Sequence, residues 1–188
     1  MTEDFLAERR RALEESFFTK QNEALRLKLR QREQVRAKKE ALAEASGISD
    51  EATLDRLLAL QIGGETLAAL YLVPLVEVAW ADGKIEEDER KALLAAAEGA
   101  GMRSGSPSYE LLAGWLARHP GAELLDAWKQ YILTLTETMD SAAKQALKRD
   151  LVGRARSVAE AAGGFLGLGG KVSAAEQKVL VELEAVFA

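Results

Sequence analysis

Neither glycine nor proline occurs between Met1 and Ser46. The stretch is built mainly of Ala, Leu, Glu, Gln, Arg and Lys, the residues that lose least on entering a helix. Nothing in it favours a turn, so the sequence predicts one uninterrupted helix that stops at Gly47, where glycine readily takes the left-handed conformation of a helix end. From Asp4 to Ala45 such a helix measures about 63 Å at 1.5 Å per residue. That exceeds the width expected of a globule made from the rest of the chain, so part of it is expected to project. Leu6, Leu13, Phe17 and Ala24 form a short apolar stripe, weakly extended by Leu25 and Leu29. No heptad pattern carries it on, which argues against a long coiled coil.

Charge divides the chain near the same point. Residues 1–47 carry 11 Lys/Arg against 9 Asp/Glu, and residues 48–188 carry 14 against 21. Within the first part, Arg26, Lys28, Arg30, Arg32, Arg36, Lys38 and Lys39 make a basic run broken only by Glu33. The expected organisation is a charged N-terminal helix over 1–47 and a helical domain over 48–188.

Past Gly47, glycine, proline and serine punctuate a series of shorter helical patterns. Ser49 is positioned to cap a helix over Asp50–Gln61. Thr66–Ala81 is almost wholly apolar and is expected to kink at Pro74, which lacks an amide donor. A membrane span needs about 20 apolar residues, and this stretch is shorter and holds Glu77, so it reads as a core helix. Further helices are expected from Glu86 to Gly99, from Ser106-Pro107 to His119-Pro120, over Glu123–Met139, over Ala142–Ala162 with Asp140 or Ser141 as cap, and over Ser173–Phe187. Gly163–Gly170 reads as a loop. No run of alternating β-branched residues occurs. The expected fold class is all-α.

Composition removes most familiar chemistries. There is no cysteine, so thiolate catalysis, disulfides and cysteine metal sites are excluded, and a single histidine, His119, cannot build a histidine cluster. The net charge of −5 gives no general attraction to nucleic acid. The N-terminus is charged on both sides and lacks the apolar core of a secretory signal, so the cytoplasm is the expected compartment.

Two segments share a pattern. Asp82-Gly83-Lys84-Ile85-Glu86-Glu87-Asp88-Glu89-Arg90-Lys91-Ala92-Leu93 aligns with Gly169-Gly170-Lys171-Val172-Ser173-Ala174-Ala175-Glu176-Gln177-Lys178-Val179-Leu180. Gly, Lys, Glu, Lys and Leu coincide, and Ile85 pairs with Val172. In each segment a glycine turn delivers an aliphatic residue and then a helix start, with Ser173 and Glu176 at capping-box spacing. Two related halves within one helical domain are the natural inference. The stretch Val78-Ala79-Trp80-Ala81-Asp82-Gly83-Lys84-Ile85-Glu86-Glu87-Asp88-Glu89 resembles the signature of the TerB-like tellurite-resistance proteins. That resemblance, over residues 50–188, implies two pseudo-symmetric helical halves, each with an acidic turn proposed to bind a divalent cation such as Ca²⁺ or Mg²⁺. It also implies a link to membrane-associated stress-response complexes. Position by position it names Asp82 and Glu89 in the first half and Glu176 in the second, where Gly169 replaces the second Asp. The TerB-like domains found beside J-domains imply no co-chaperone here, because the only His-Pro is followed by Gly121 rather than Asp.

On the residues themselves, Asp82, Glu86, Asp88 and Glu89 crowd together as an oxygen-rich cluster, with Glu176 as a further ligand candidate. The simpler reading is that Asp-Gly makes a turn and that acids at a helix start complement the macrodipole. Glu77, on an apolar helix beside Trp80, is expected to need a Lys or Arg partner from another helix. His119 reads as a helix-end residue, and Trp80, Trp115 and Trp128 as core. The expected function is a non-enzymatic TerB-like scaffold or sensor that docks a protein partner or a second copy through the N-terminal helix, with peripheral attachment at the inner face of a membrane. The competing readings are a metal-dependent hydrolase using Asp82 and Glu89, and a binder of anionic membrane or nucleic acid through residues 26–39, nucleic acid being the weaker of the two.

Overall fold

The computed structural model describes residues 2–85, 87–99, 101–165 and 172–187; the side chains of residues 2–17, 19, 88, 89, 92, 96, 158 and 160–165 lie outside that description. Among the described residues the regular secondary structure is all helical, with no strand. The expected long helix is present as α1, Thr2–Ser46. Gly47 closes it with φ 71° and an amide bond to Ala43 O of 2.9 Å. The stripe residues Leu6, Leu13 and Phe17 lie outside the described side chains.

The chain divides into two compact units, residues 1–40 and 41–188. Although α1 ends at Gly47, its last turns belong to the second unit: Leu42, Ser46 and Ile48 are buried there. Ser46 is accommodated because its Oγ–H donates to Leu42 O at 2.6 Å. In the first unit, every residue from Lys20 to Lys38 is exposed.

The second unit holds α2 (Glu51–Ala59), a 3-10 turn (Leu67–Leu72), α3 (Val73–Ala79), α4 (Glu87–Gly99), α5 (Pro107–Ala117), α6 (Ala122–Thr136), α7 (Ser141–Phe165) and α8 (Ala174–Ala185). Helix α3 packs against α6, α7 and α8 and so forms the centre of the bundle. Its apolar run explains this, since Val73, Pro74, Leu75, Val76 and Val78 are all buried. Other large core side chains include Leu57, Leu112, Trp128, Ile132, Leu151, Leu180 and Leu183. Each fully buried aliphatic or aromatic side chain contributes about 1.5–3 kcal/mol through area removed from water.

Local chemistry adjusts several expected boundaries. Asp50, not Ser49, caps α2: its Oδ2 accepts the Thr53 N–H at 2.7 Å. The expected kink at Pro74 is instead a change of helix type. The tighter turn over Leu67–Leu72 gives way to α3, and Pro74 sits in the first turn, where its missing N–H leaves no bond unmade. Ser106 caps α5 and Asp140 caps α7. Helix α7 runs through Gly163 and Gly164 to Phe165, past the expected loop start, and residues 166–171 lie outside the described residues.

The matched segments correspond locally. Helices α4 and α8 begin at the aligned positions Glu87 and Ala174; Leu93 and Leu180 are both buried, and Ile85 and Val172 both pack on the core. This likeness covers the two helix starts and the residues next to them.

Candidate functional site

The acidic turn is built outward from the end of α3. The Trp80 amide donates to Val76 O at 3.0 Å, and its indole Nε1–H donates to the carbonyl of Trp115 in α5 at 2.9 Å. His119 meets the same indole edge to face, with ring centroids 5.3 Å apart, while its Nδ1 accepts the Gly121 amide at 3.1 Å. The chain thus leaves α3 from a fixed point. Gly83 then bonds back to Trp80 O at 2.8 Å with φ 85°, a conformation that costs glycine nothing and a Cβ-bearing residue 1–2 kcal/mol or so, roughly. Asp82 is exposed, and its Oδ1 accepts the Lys84 amide at 3.1 Å. On the first turn of α4, Glu87 accepts from Arg90 Nη2 at 2.7 and 2.8 Å, and that bond holds the Glu87 carboxyl below the ordinary range.

Glu176 is engaged in the same way at the second turn. Its Oε2 accepts the Ser173 amide at 2.6 Å while Ser173 Oγ accepts the Glu176 amide at 3.2 Å, the complete reciprocal capping box. Asp82 and Glu176 therefore spend a carboxylate oxygen on backbone donors of their own turns. Glu86 and the side chains of Asp88 and Glu89 lie outside the described residues. Among the described residues, no three His, Asp or Glu side chains come together to hold a metal ion. The described residues put these carboxylates to local use, Asp82 in a turn and Glu176 in a helix cap.

A second cluster lies where α3, α6 and α8 meet. Glu77 is partly buried, and its Oε1 is enclosed without a hydrogen-bond partner. The cation expected to pair with it is present as Lys129, but the Lys129 ammonium pairs with Glu182 instead, at 2.6 Å. Glu77 thus has desolvation against it, a second carboxylate nearby and only a shared cation in its favour. Burial first, then the Glu182 charge, push its carboxyl up to about 7, with Lys129 opposing. The expected structural ion pair is an acid–cation–acid arrangement with one proton too few. Sequence spacing pointed to Glu77 but not to Glu182, which reads as an ordinary surface acid of α8.

The third feature is the surface of α1 over residues 20–38. Phe18, Leu25, Leu27, Leu29 and Val35 are all exposed among the basic side chains. Phe18, Leu25 and Leu29 fall on one face by helical spacing, Leu27 on the opposite one. The pair Arg36–Glu40, at 3.6 Å, is a local i,i+4 bond with both side chains in water. Among the described residues no helix is long and apolar enough to cross a membrane.

Comparison with protein-family models, curated proteins and solved structures finds no match to this chain.

Proposed function

We propose that this chain is a non-enzymatic helical scaffold, TerB-like in the motif that ends at Glu89, whose basic N-terminal helix docks an acidic protein surface. The observation that carries this reading is the exposure of α1 on every face from Lys20 to Lys38. A helix exposed all round, its few apolar side chains included, stands on propensity and local pairs rather than on burial. The remaining residues of the chain, 48–188, carry 21 acids against 14 bases, the opposite balance to the basic run. The acidic surface is therefore supplied by a second copy. A cation sensor at the acidic turns and a stress-response setting rest on the motif resemblance alone.

Sedimentation velocity of the full chain at about 0.05 M and 0.5 M salt tests this, because the Debye length shortens severalfold over that range. Association at low salt, lost at high salt and lost in Arg26→Glu/Arg30→Glu/Arg36→Glu, is the expected result. A monomer in both salts removes the reading. Binding of that monomer to anionic vesicles or to nucleic acid would assign the basic run to those surfaces instead.

A further inference from the structure

The second unit carries a groove of about 390 Å³ that none of the features above uses. Its walls come from the 3-10 turn, the end of α4, the start of α5 and the middle of α7. Tyr71, Leu72, Met102, Arg103, Ser106 and Arg154 are among the residues that line it. That volume is in the range of small-molecule sites, about 300–1,000 Å³.

The lining is mostly apolar carbon, with two arginines and, among the described residues, no aspartate or glutamate. This stands against its surroundings, since residues 48–188 are acidic overall. The two serine hydroxyls are each partly engaged and carry no charge to select a ligand. Ser106 Oγ caps α5 by accepting the Tyr109 amide, and Ser108 Oγ–H donates to Glu65 O at 3.0 Å. Polar recognition falls to the guanidinium groups. Among the described residues no carboxylate pairs with Arg103. Arg154 meets Asp150 at 2.9 Å through Nε, which leaves its terminal N–H donors for another acceptor. A guanidinium is a planar fork that suits a carboxylate, and it gives up its water more readily than an ammonium. Tyr71, 44% exposed, adds an aromatic ring, and Met102 adds an adaptable thioether.

We infer that this groove binds a small amphipathic carboxylate, of the kind of a medium-chain fatty acid, with the headgroup on Arg103 and Arg154 and the apolar tail along Tyr71, Leu72 and Met102. The charge complement sets the headgroup and the apolar walls set the tail. A ligand with only one of the two would leave either the arginines or the apolar surface without its complement.

Isothermal titration of the full chain with decanoate, decanol and inorganic phosphate is the test, kept below the micelle concentration of decanoate. Saturable one-to-one decanoate binding is expected, with decanol and phosphate each at least tenfold weaker, roughly. Arg103→Gln, an exposed change that leaves the core intact, should weaken decanoate about tenfold. Ala68→Trp, which fills the groove from an exposed lining position, should abolish binding, while Val181→Glu on α8 should leave it unchanged; thermal melts establish that each variant is folded. Decanol binding as tightly as decanoate would overturn the headgroup assignment, and phosphate doing so would overturn the tail. No saturable binding, or equal affinity in folded Arg103→Gln, would overturn the site itself.

Discussion

Leu27 and Leu42 belong to the same helix, yet Leu27 is 59% exposed and Leu42 is wholly buried. The residues around Leu27 are helical because Ala, Leu, Glu, Gln, Lys and Arg lose little in a helix and because i,i+4 charges support one another, a few tenths of a kcal/mol at a time, roughly. The helices of the second unit are short, interrupted by glycine, proline and serine, and held by a core in which Leu57, Trp128 and Leu180 lose essentially all contact with water. The strongest helical signal in the sequence thus marks the segment with the least tertiary support, and the weakest helical signals mark the best-supported segments. Local propensity and burial are separate sources of order, and this chain uses them in different places.

The largest expected effect breaks that contrast at a single residue type. Leu42→Ala should lower stability by about 2–5 kcal/mol, the range for truncating a buried leucine. Leu27→Ala, at an exposed site on the same helix, should change it by less than about 0.5 kcal/mol. Urea unfolding followed by circular dichroism measures both. Equal effects would mean that Leu27 is covered in solution, as association through α1 would require at the protein concentration used.

The next effect belongs to the core of the second unit. Glu77 holds its proton up to about pH 7 when folded and releases it near pH 4.5 when unfolded. The folded state therefore binds more protons between those values, and this group makes stability fall as pH rises from 4.5 to 7. Below 4.5 the penalty is absent; above 7 it is complete. Glu77→Gln removes the charge while keeping the shape. It should stabilise the protein at pH 8 by about 1–2 kcal/mol, the 1.36 kcal/mol per pKa unit being reduced by solvent screening of a partly buried group, and by nothing at pH 4. The difference between parent and variant urea midpoints across pH 4–8 reads this directly. A constant difference would show that folding does not raise the Glu77 carboxyl.

Ser173→Ala should cost less, about 1 kcal/mol, because it removes one of the two reciprocal bonds that open α8. Glu176→Gln should lose only part of that, since the amide oxygen still accepts from Ser173. If Glu176 instead held a cation, Glu176→Gln would cost more than Ser173→Ala in the presence of Ca²⁺ or Mg²⁺, and nothing extra in a chelator.

What could be read in advance follows from the same division. Helix ends set by local chemistry were legible: Gly47, Ser106-Pro107, Asp140 and the Ser173–Glu176 box all act within four residues of chain. The all-helical class followed from the absence of strand patterning, and the burial of α3 followed from its apolar run. Features that depend on distant residues were not legible. The boundary between units falls after residue 40 rather than at Gly47, because Leu42 and Ile48 find core partners that no local pattern reveals. Lys129 meets Glu182 rather than Glu77 because α6 and α8 approach at that level of the bundle. Arg103 and Arg154 come to one groove from separate elements, with no spacing to join them. The acidic motif was the most conspicuous local signal; in the structure, its described members make the local bonds that their spacing allows, Asp82 within its turn and Glu176 in the capping box of α8.

The smallest effect tests the first region on its own terms. Arg36 and Glu40 pair at 3.6 Å with side chains 75% and 71% exposed. An exposed i,i+4 pair contributes about 0.3–0.5 kcal/mol, less in salt, so Arg36→Ala should leave the melting temperature of the whole protein unchanged within error. Any loss should show instead as slightly lower helicity at 222 nm, roughly, and should vanish at high salt, where the parent has lost the same interaction. Alanine is itself the best helix former, which offsets part of even that loss. A fall in melting temperature of several degrees would mean that residues 20–38 share the cooperative unfolding of the core, and the separation of propensity from burial drawn from Leu27 and Leu42 would fail. An unchanged melt with weakened low-salt association would place the work of Arg36 between copies of the chain, where the charge excess of residues 48–188 can meet it.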